Sequence, residues 1–179
     1  MYHVRIRLAD SLPQEKLEEW KEERVEIVRE ADKQKRKLSL SEEKRLEFLY
    51  SEKVEQWLDA GYGACWLKQN EVASIVADTL KFFDGDRYKL LAWCIMPNHV
   101  HVILEPISHE LSDILNSWKW YTALKANRIL GRHGAFWQRE YFDHLLRNQE
   151  GIERAVEYVW QNPEAAGLHD WKWRWRIDA

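Results

Sequence analysis

The sequence predicts an α+β protein: a ferredoxin-like antiparallel sheet in the order β-α-β-β-α-β-α, carrying a charged helical hairpin insert near the N-terminus. Three observations lead there. Apolar and polar residues alternate from the outset, through Tyr2, His3, Val4, Arg5, Ile6, Arg7 and Leu8. A nearly continuous apolar run, Leu90 to Ile95, is followed across a Pro97-Asn98 turn by a second alternating run, His99 to Leu104, which together read as a hairpin. Helical periodicity fills the intervals between these strands.

The elements follow in order. The opening strand is not the apolar run of a signal peptide. Ser11 and Pro13 form a helix entry, and from there to about residue 60 the chain is highly charged and nearly free of glycine and proline. Leu17, Trp20, Val25, Ile27 and Val28 mark one helix, residues 33–37 a turn, and Ser41 the start of another whose apolar side is Leu46, Phe48, Leu49, Val54, Trp57 and Leu58. These charged faces read as solvated surface. Gly61 and Gly63 break the pattern, and Asn70 caps a helix carrying Val72, Ile75, Val76, Leu80 and Phe83. After the hairpin, a helix from about Leu111 to Ile129 turns Leu111, Ile114, Leu115 and Trp118 inward and ends at Gly131. Phe142 to Arg147 offers a short strand. Asn148 caps the last helix, whose Ile152, Ala155, Val156 and Val159 face inward until Pro163 stops it.

Composition sets limits. A chain of 179 residues at 45% hydrophobic supports one buried core and not two, so residues 1–179 are expected to form one domain with the insert at about 13–60. The net charge of −3 argues against an indiscriminate nucleic-acid binder but leaves room for a local basic patch, since much of the acidity falls early, at Glu15, Glu18, Glu19, Glu22, Glu23 and Glu26. Cys65 and Cys94 lack ligand spacing and read as reduced core thiols. No segment is long and apolar enough to span a bilayer, and a cytoplasmic location is expected.

The residues that carry chemistry lie late in the hairpin. Strand side chains alternate, so His99, His101 and Ile103 share a face while Val100, Val102 and Leu104 point to a core. The histidines are expected on the open face of the sheet, where two imidazoles can share one ion. Exposed strand histidines with no ligand are the plain alternative. A cupin would need glycine context and more strands, and a histidine-triad hydrolase a third alternate histidine where Ile103 stands. Downstream, Tyr158 and Asn162 stand at i, i+4 on one helix surface. A phenol with a pKa of about 10 attacks phosphate only beside a cation, so Tyr158 is either a nucleophile near the histidine pair or an ordinary helix tyrosine. Asn162 either offers its amide oxygen to the ion or caps the helix before Pro163. Two imidazoles and one amide suit Mg2+ or Mn2+ better than a closed zinc site.

Three motifs in sequence, Pro97-Asn98-His99-Val100-His101, Trp137 to His144, and Tyr158 through Asn162-Pro163 with Gly167-Leu168, resemble the REP-associated tyrosine transposases, a branch of the single-tyrosine HUH transposases of IS200-like type. The similarity covers nearly everything except the insert and the last residues. It implies the same ferredoxin-like sheet in its HUH form, His99 and His101 as metal ligands, Asn162 as the third, Tyr158 as the nucleophile, and Mg2+ or Mn2+ as cofactor. The activity implied is cleavage and rejoining of single-stranded DNA at hairpin-forming, REP-like repeats, through a 5′-phosphotyrosine and without ATP. Lys119, Lys125, Arg128, Arg139 and Arg147 are candidates for DNA backbone contacts, and Trp120 and Trp137 for stacking on bases. A monomer or homodimer is expected. The alternatives are a non-cleaving hairpin-binding protein of the same fold and a phosphohydrolase using the histidine pair. The insert is longer than such a resemblance leads one to expect, and would contact DNA, mediate dimerisation or decorate. The tail Trp171 to Arg176 alternates aromatic and basic residues, as a strand edge or a DNA-touching arm would.

Overall fold

The computed structural model describes residues 1–50 and 52–177, with the side chains at 47, 48, 50 and 52 outside that description, Phe48 of the expected apolar side among them. It divides into two compact units, Met1–Ala9 with Ala64–Ala179, and Asp10–Gly63.

The first unit is the sheet. Strands β1 (Tyr2–Arg7), β2 (Tyr88–Ile95), β3 (His99–Pro106), β4 (Phe142–Leu145) and β5 (Arg174–Arg176) stand in the spatial order β4-β1-β3-β2-β5, all antiparallel. The first four reproduce the expected ferredoxin-like order, and β5 adds an edge strand from the tail. One face carries Val4, Ile6, Leu90, Trp93, Ile95, Val100, Val102 and Leu104, all buried, under helices α4 (Asn70–Phe82) and α5 (Leu111–Ile129). Tyr88 ties the layers: its hydroxyl donates to the Leu80 carbonyl at 2.8 Å and accepts from Trp118 Nε1 at 3.0 Å, with the two rings edge to face.

The opposite face carries Ala92, Cys94, Met96 and Ile103, and α6 (Gln149–Ala165) lies on it through Ala155, Val156 and Val159. This corrects the expectation of an open histidine face: His99 and His101 are both 0% exposed. The apolar stripe expected of the last helix needs a surface to cover, and this face of the sheet is the one it covers.

Two helix ends differ from expectation. Asn70 is the first helical residue and not the cap, which is Gln69 in extended conformation with no side-chain cap bond. Pro163 does not stop α6, which runs on to Ala165. A proline lacks only its own N–H, and here that loss falls in the final turn, where the helix closes differently. Leu168 N donates to the Pro163 carbonyl and Gly167 N to that of Glu164, with Gly167 at φ +73°: a Schellman closure that needs glycine's left-handed freedom. Asn148 caps the other end as expected, its side chain accepting from Gly151 N at 2.8 Å.

The second unit is helical, with α1 (Gln14–Lys33), α2 (Leu40–Tyr50) and α3 (Glu52–Asp59). Its own small core is Leu12, Trp20, Leu49 and Leu58, with Leu17, Ile27, Val54 and Trp57 packed around it. Arg36 pairs with Glu42 across the turn, and that carboxylate, also bonded by Ser39, is pulled down to about 2. Neither unit holds a helix long and apolar enough to cross a membrane among the described residues.

Candidate metal and nucleophile site

Antiparallel register assembles the site face. β1 sets Arg7 opposite His99, Arg5 opposite His101 and His3 opposite Ile103, so His3, Arg5 and Arg7 line up beside the two histidines of β3. β2 sets Cys94 opposite His101 on the other flank, and β4 sets His144 opposite His3. The alternation that sends Val4 and Ile6 into the core necessarily sends His3 and Arg5 here.

The ring nitrogens make a chain. His99 Nδ1 lies 2.8 Å from Asn98 Oδ1, His99 Nε2 lies 3.0 Å from His101 Nε2, and His101 Nδ1 lies 3.0 Å from His3 Nε2. An amide oxygen only accepts, so the His99–Asn98 bond forms when the His99 ring carries its proton on Nδ1. Burial holds His99, His101 and His3 well below the usual imidazole pKa, with the Arg5 guanidinium pushing all three the same way and the His101 ring adding to it at His99 and His3. All three are neutral at pH 7, the state in which an imidazole binds metal.

Tyr158 comes to this cluster from α6 in the same chain. Its ring centroid is 5.7 Å from that of His101 and 5.9 Å from that of His3, both edge on. The tyrosine is 41% exposed, so its ring touches the buried imidazoles while solvent reaches its edge. One turn on, Asn162 is buried, and its Nδ2 donates to the Tyr158 hydroxyl at 3.4 Å. Asn162 Oδ1 is buried with no hydrogen-bond partner among the described residues. With α6 ending at Ala165, Asn162 is not the cap. A buried acceptor left unpaired costs about 1–3 kcal/mol, and an amide oxygen of this kind together with two neutral imidazoles is a donor set that suits a cation. The residues present therefore fit a divalent ion.

The model of the family described as "Transposase IS200 like" matches residues 66–162, more than half of the chain and all of the stretch from His99 to Asn162. The chain belongs to the IS200-like transposase family. A Haemophilus influenzae protein named as a REP-associated tyrosine transposase is 24% identical over 117 residues, which is 57% of this chain and 65% of that protein, so the match spans just under two thirds of the relative. A solved REP-associated tyrosine transposase bound to a REP hairpin superposes with a TM-score of 0.50 at 14% identity, covering 97% of this chain and 74% of that one; this likeness shows the fold.

The other expected contact residues are scattered. Trp120, Lys125 and Arg128 are exposed on α5, in the helical layer across the sheet from the histidines, with Trp120 at 69%. Lys119, half-buried there, donates to the Arg139 carbonyl at 2.6 Å and so tethers the segment entering β4. Arg139 and Arg147 are exposed on either side of β4. Trp137 is a correction: it is buried, edge to face on Phe136, and its indole N–H donates to Thr122 Oγ1 at 2.8 Å. Its ring is spent on the core and is not offered to a base. His3, Asn98 and Arg5 were missed in the sequence. The signal available for His3 and Arg5 was the period-two pattern of β1, which put them opposite the Val4 and Ile6 face.

Proposed function

We propose that this protein is a metal-dependent single-stranded DNA endonuclease and strand transferase that acts on hairpin-forming, REP-like DNA, with Tyr158 as nucleophile. One observation carries the reading: a partly exposed phenol from α6 rests against a buried pair of neutral imidazoles whose Nε2 atoms converge to 3.0 Å. The names of the two relatives support the DNA substrate class.

His99 and His101 would hold the ion through Nε2, and Asn162 Oδ1 would be the third protein ligand. Two imidazoles and one amide oxygen, with positions left open for substrate, support Mg2+ or Mn2+ over a closed zinc site. When bound, such an ion neutralises charge on the nonbridging phosphate oxygens and orients the ester. Tyr158 then does the chemistry. Its oxygen attacks the scissile phosphorus, the new O–P bond forms as the P–O3′ bond breaks, the phenolic proton passes to water and the departing 3′ oxygen takes one up. A 5′-phosphotyrosine and a 3′-hydroxyl result. Attack by another 3′-hydroxyl reverses the exchange, and because one ester replaces another no ATP is consumed. Asn162 Nδ2 holds the phenol oxygen, and the His101 and His3 rings fix the plane of the tyrosine.

Arg139 and Arg147, bracketing β4 next to β1, are the proposed DNA backbone contacts nearest the site. Trp120, Lys125 and Arg128, with Lys119, engage only DNA that passes round that edge of the sheet to the α5 layer. A hairpin oligonucleotide with a single-stranded flank tests the whole reading. An SDS-stable protein–DNA adduct that requires Mg2+ or Mn2+ and is lost in Tyr158→Phe is expected. Tight binding with no adduct in the wild type would mean a hairpin-binding protein, and nucleotide hydrolysis surviving in Tyr158→Phe a phosphohydrolase.

A further inference from the structure

We infer that two copies of this chain pair through α5, the two helices running antiparallel about a two-fold axis beside Trp120 and Tyr121. The inference is independent of the metal and cleavage reading and concerns the protein without DNA.

One stripe of α5 faces solvent. Asp113, Ser117, Trp120, Tyr121, Leu124 and Arg128 stand at i, i+4, i+7, i+8, i+11 and i+15, a spacing that gathers them within about 100° of the helix circumference. Trp120 and Leu124 are more than half exposed, and Tyr121 is exposed beside them. Phe82, three-quarters exposed at the end of α4, extends this apolar surface across a groove of about 490 Å³ between the two helices. Apolar side chains clustered in this way mark a surface that another molecule covers. Asp113 and Arg128 bound the stripe, and neither side chain has a hydrogen bond or ion pair among the described residues.

The stripe is its own complement. Reversed about its midpoint, between residues 120 and 121, it sets Asp113 opposite Arg128, Ser117 opposite Leu124 and Trp120 opposite Tyr121. Two antiparallel copies therefore form the Asp113–Arg128 pair twice, at the two rims, while four aromatic rings gather on the axis and the small Ser117 leaves room for the partner's leucine. The helix dipole alone favours an acid in the first turn of α5 and a base in the last. It does not ask for the exposed indole, phenol and leucine between them. The mixed charge selects the occupant. A phosphate backbone laid along the stripe would gain Arg128 and then meet Asp113, with Asp78 lining the groove beside it, whereas a second copy sets each charge against its opposite. Trp120 and Arg128 are also the residues that DNA passing round the edge of the sheet would reach, so the pairing belongs to the DNA-free protein.

Sedimentation velocity of the full chain without DNA, from about 1 to 100 μM, is the test, and the wild type is expected to move from the monomer mass to twice that mass across the range. Trp120→Ala and Leu124→Glu are each expected to raise the dimer Kd at least about 30-fold, as loss of a central anchor does. Both residues are exposed, so thermal unfolding should find each variant folded. Asp113→Arg sets like charges together at both rims and is expected to weaken the dimer at least about 10-fold, as is Arg128→Asp. The two changes combined in one chain restore opposite charges at both contacts, and the Kd is expected to return to within about 3-fold of the wild type, although both helix ends then carry the charge that the dipole disfavours. A role for either residue within its own helix would not give that recovery. A wild type that stays monomeric throughout, a dimer indifferent to Trp120→Ala, or a double exchange as weak as the single ones would overturn the inference. A monomer that loses hairpin affinity in Trp120→Ala would overturn it in favour of DNA as the occupant of the stripe.

Discussion

Asn162→Leu should make the metal-free protein more stable while weakening its hold on metal. Asn162 is 3% exposed and its Oδ1 has no partner among the described residues. Removing a buried unpaired acceptor recovers about 1–3 kcal/mol, and leucine is close enough in shape to fill the space. The bond given up, Nδ2 to the Tyr158 hydroxyl, is long at 3.4 Å and ends on a part-exposed group, so its loss costs at most about 0.5 kcal/mol. The net gain is about 1–2 kcal/mol, or roughly 2–8 °C in Tm for a chain of this size. The assay is thermal or urea unfolding in EDTA, repeated with Mn2+. At about 100 times its Kd an ion adds about 2.7 kcal/mol to the wild type and about 1.4 kcal/mol to a variant that binds it tenfold more weakly, so the variant's advantage in EDTA shrinks by about 1.3 kcal/mol in Mn2+. A metal-free Asn162→Leu less stable than wild type would refute the reasoning, because it would mean that the oxygen is already satisfied.

In metal-free buffer stability should fall as pH drops below about 6.5, the unfolded imidazole value. His99 and His101 have folded pKa values depressed below it, so above that pH neither state binds the protons and below it only the unfolded chain does; the slope approaches about 2–3 kcal/mol per pH unit for the two, and a flat urea midpoint from pH 7 to 5 would contradict their burial as neutral rings. Trp120→Ala should weaken hairpin binding by about 1–3 kcal/mol in a fluorescence anisotropy titration if its exposed ring stacks on a base. Trp137→Phe should leave that titration unchanged and instead lower stability by about 1–3 kcal/mol, since it strips a buried donor from Thr122. Gly167→Ala, forced to φ +73°, should cost about 1–2 kcal/mol and fray the end of α6 in hydrogen exchange.

What the sequence made legible followed from short periods. The two-residue alternation of β3 gave the histidine pair, the helical spacing gave Tyr158 and Asn162, and the order of elements gave the ferredoxin-like sheet that register then brought together. Burial was harder to read. An alternating strand tells which side chains share a face but not whether a later helix covers it, and so α6 turned an expected open face into a closed one. Trp137 shows the same blind spot: an aromatic among polar neighbours looks available until the Thr122 hydroxyl one layer away takes its N–H. The period-two pattern of β1 gives the face of His3, but its meeting with His101 comes from pairing strands nearly a hundred residues apart.

The tail resolves an ambiguity that bears on Tyr158. Its aromatic–basic alternation suits either an edge strand or a DNA-touching arm, and β5 is an edge strand whose arginines turn to α6. Arg174 donates to the Trp160 carbonyl at 2.9 Å and pairs with Glu164, Arg176 pairs with Glu157, and both guanidiniums lie over the Trp160 indole at 4.4 and 4.8 Å. These anchors flank Tyr158 on both sides along the helix. The carbonyl bond, the stack and the two ion pairs act along two turns of α6, from Glu157 to Glu164, while the Schellman closure at Gly167 fixes its end. A phenol on a helix free to slide would meet the imidazoles only some of the time; two charged side chains from β5 limit that freedom. Arg174 and Arg176 are therefore occupied in holding the helix that carries Tyr158.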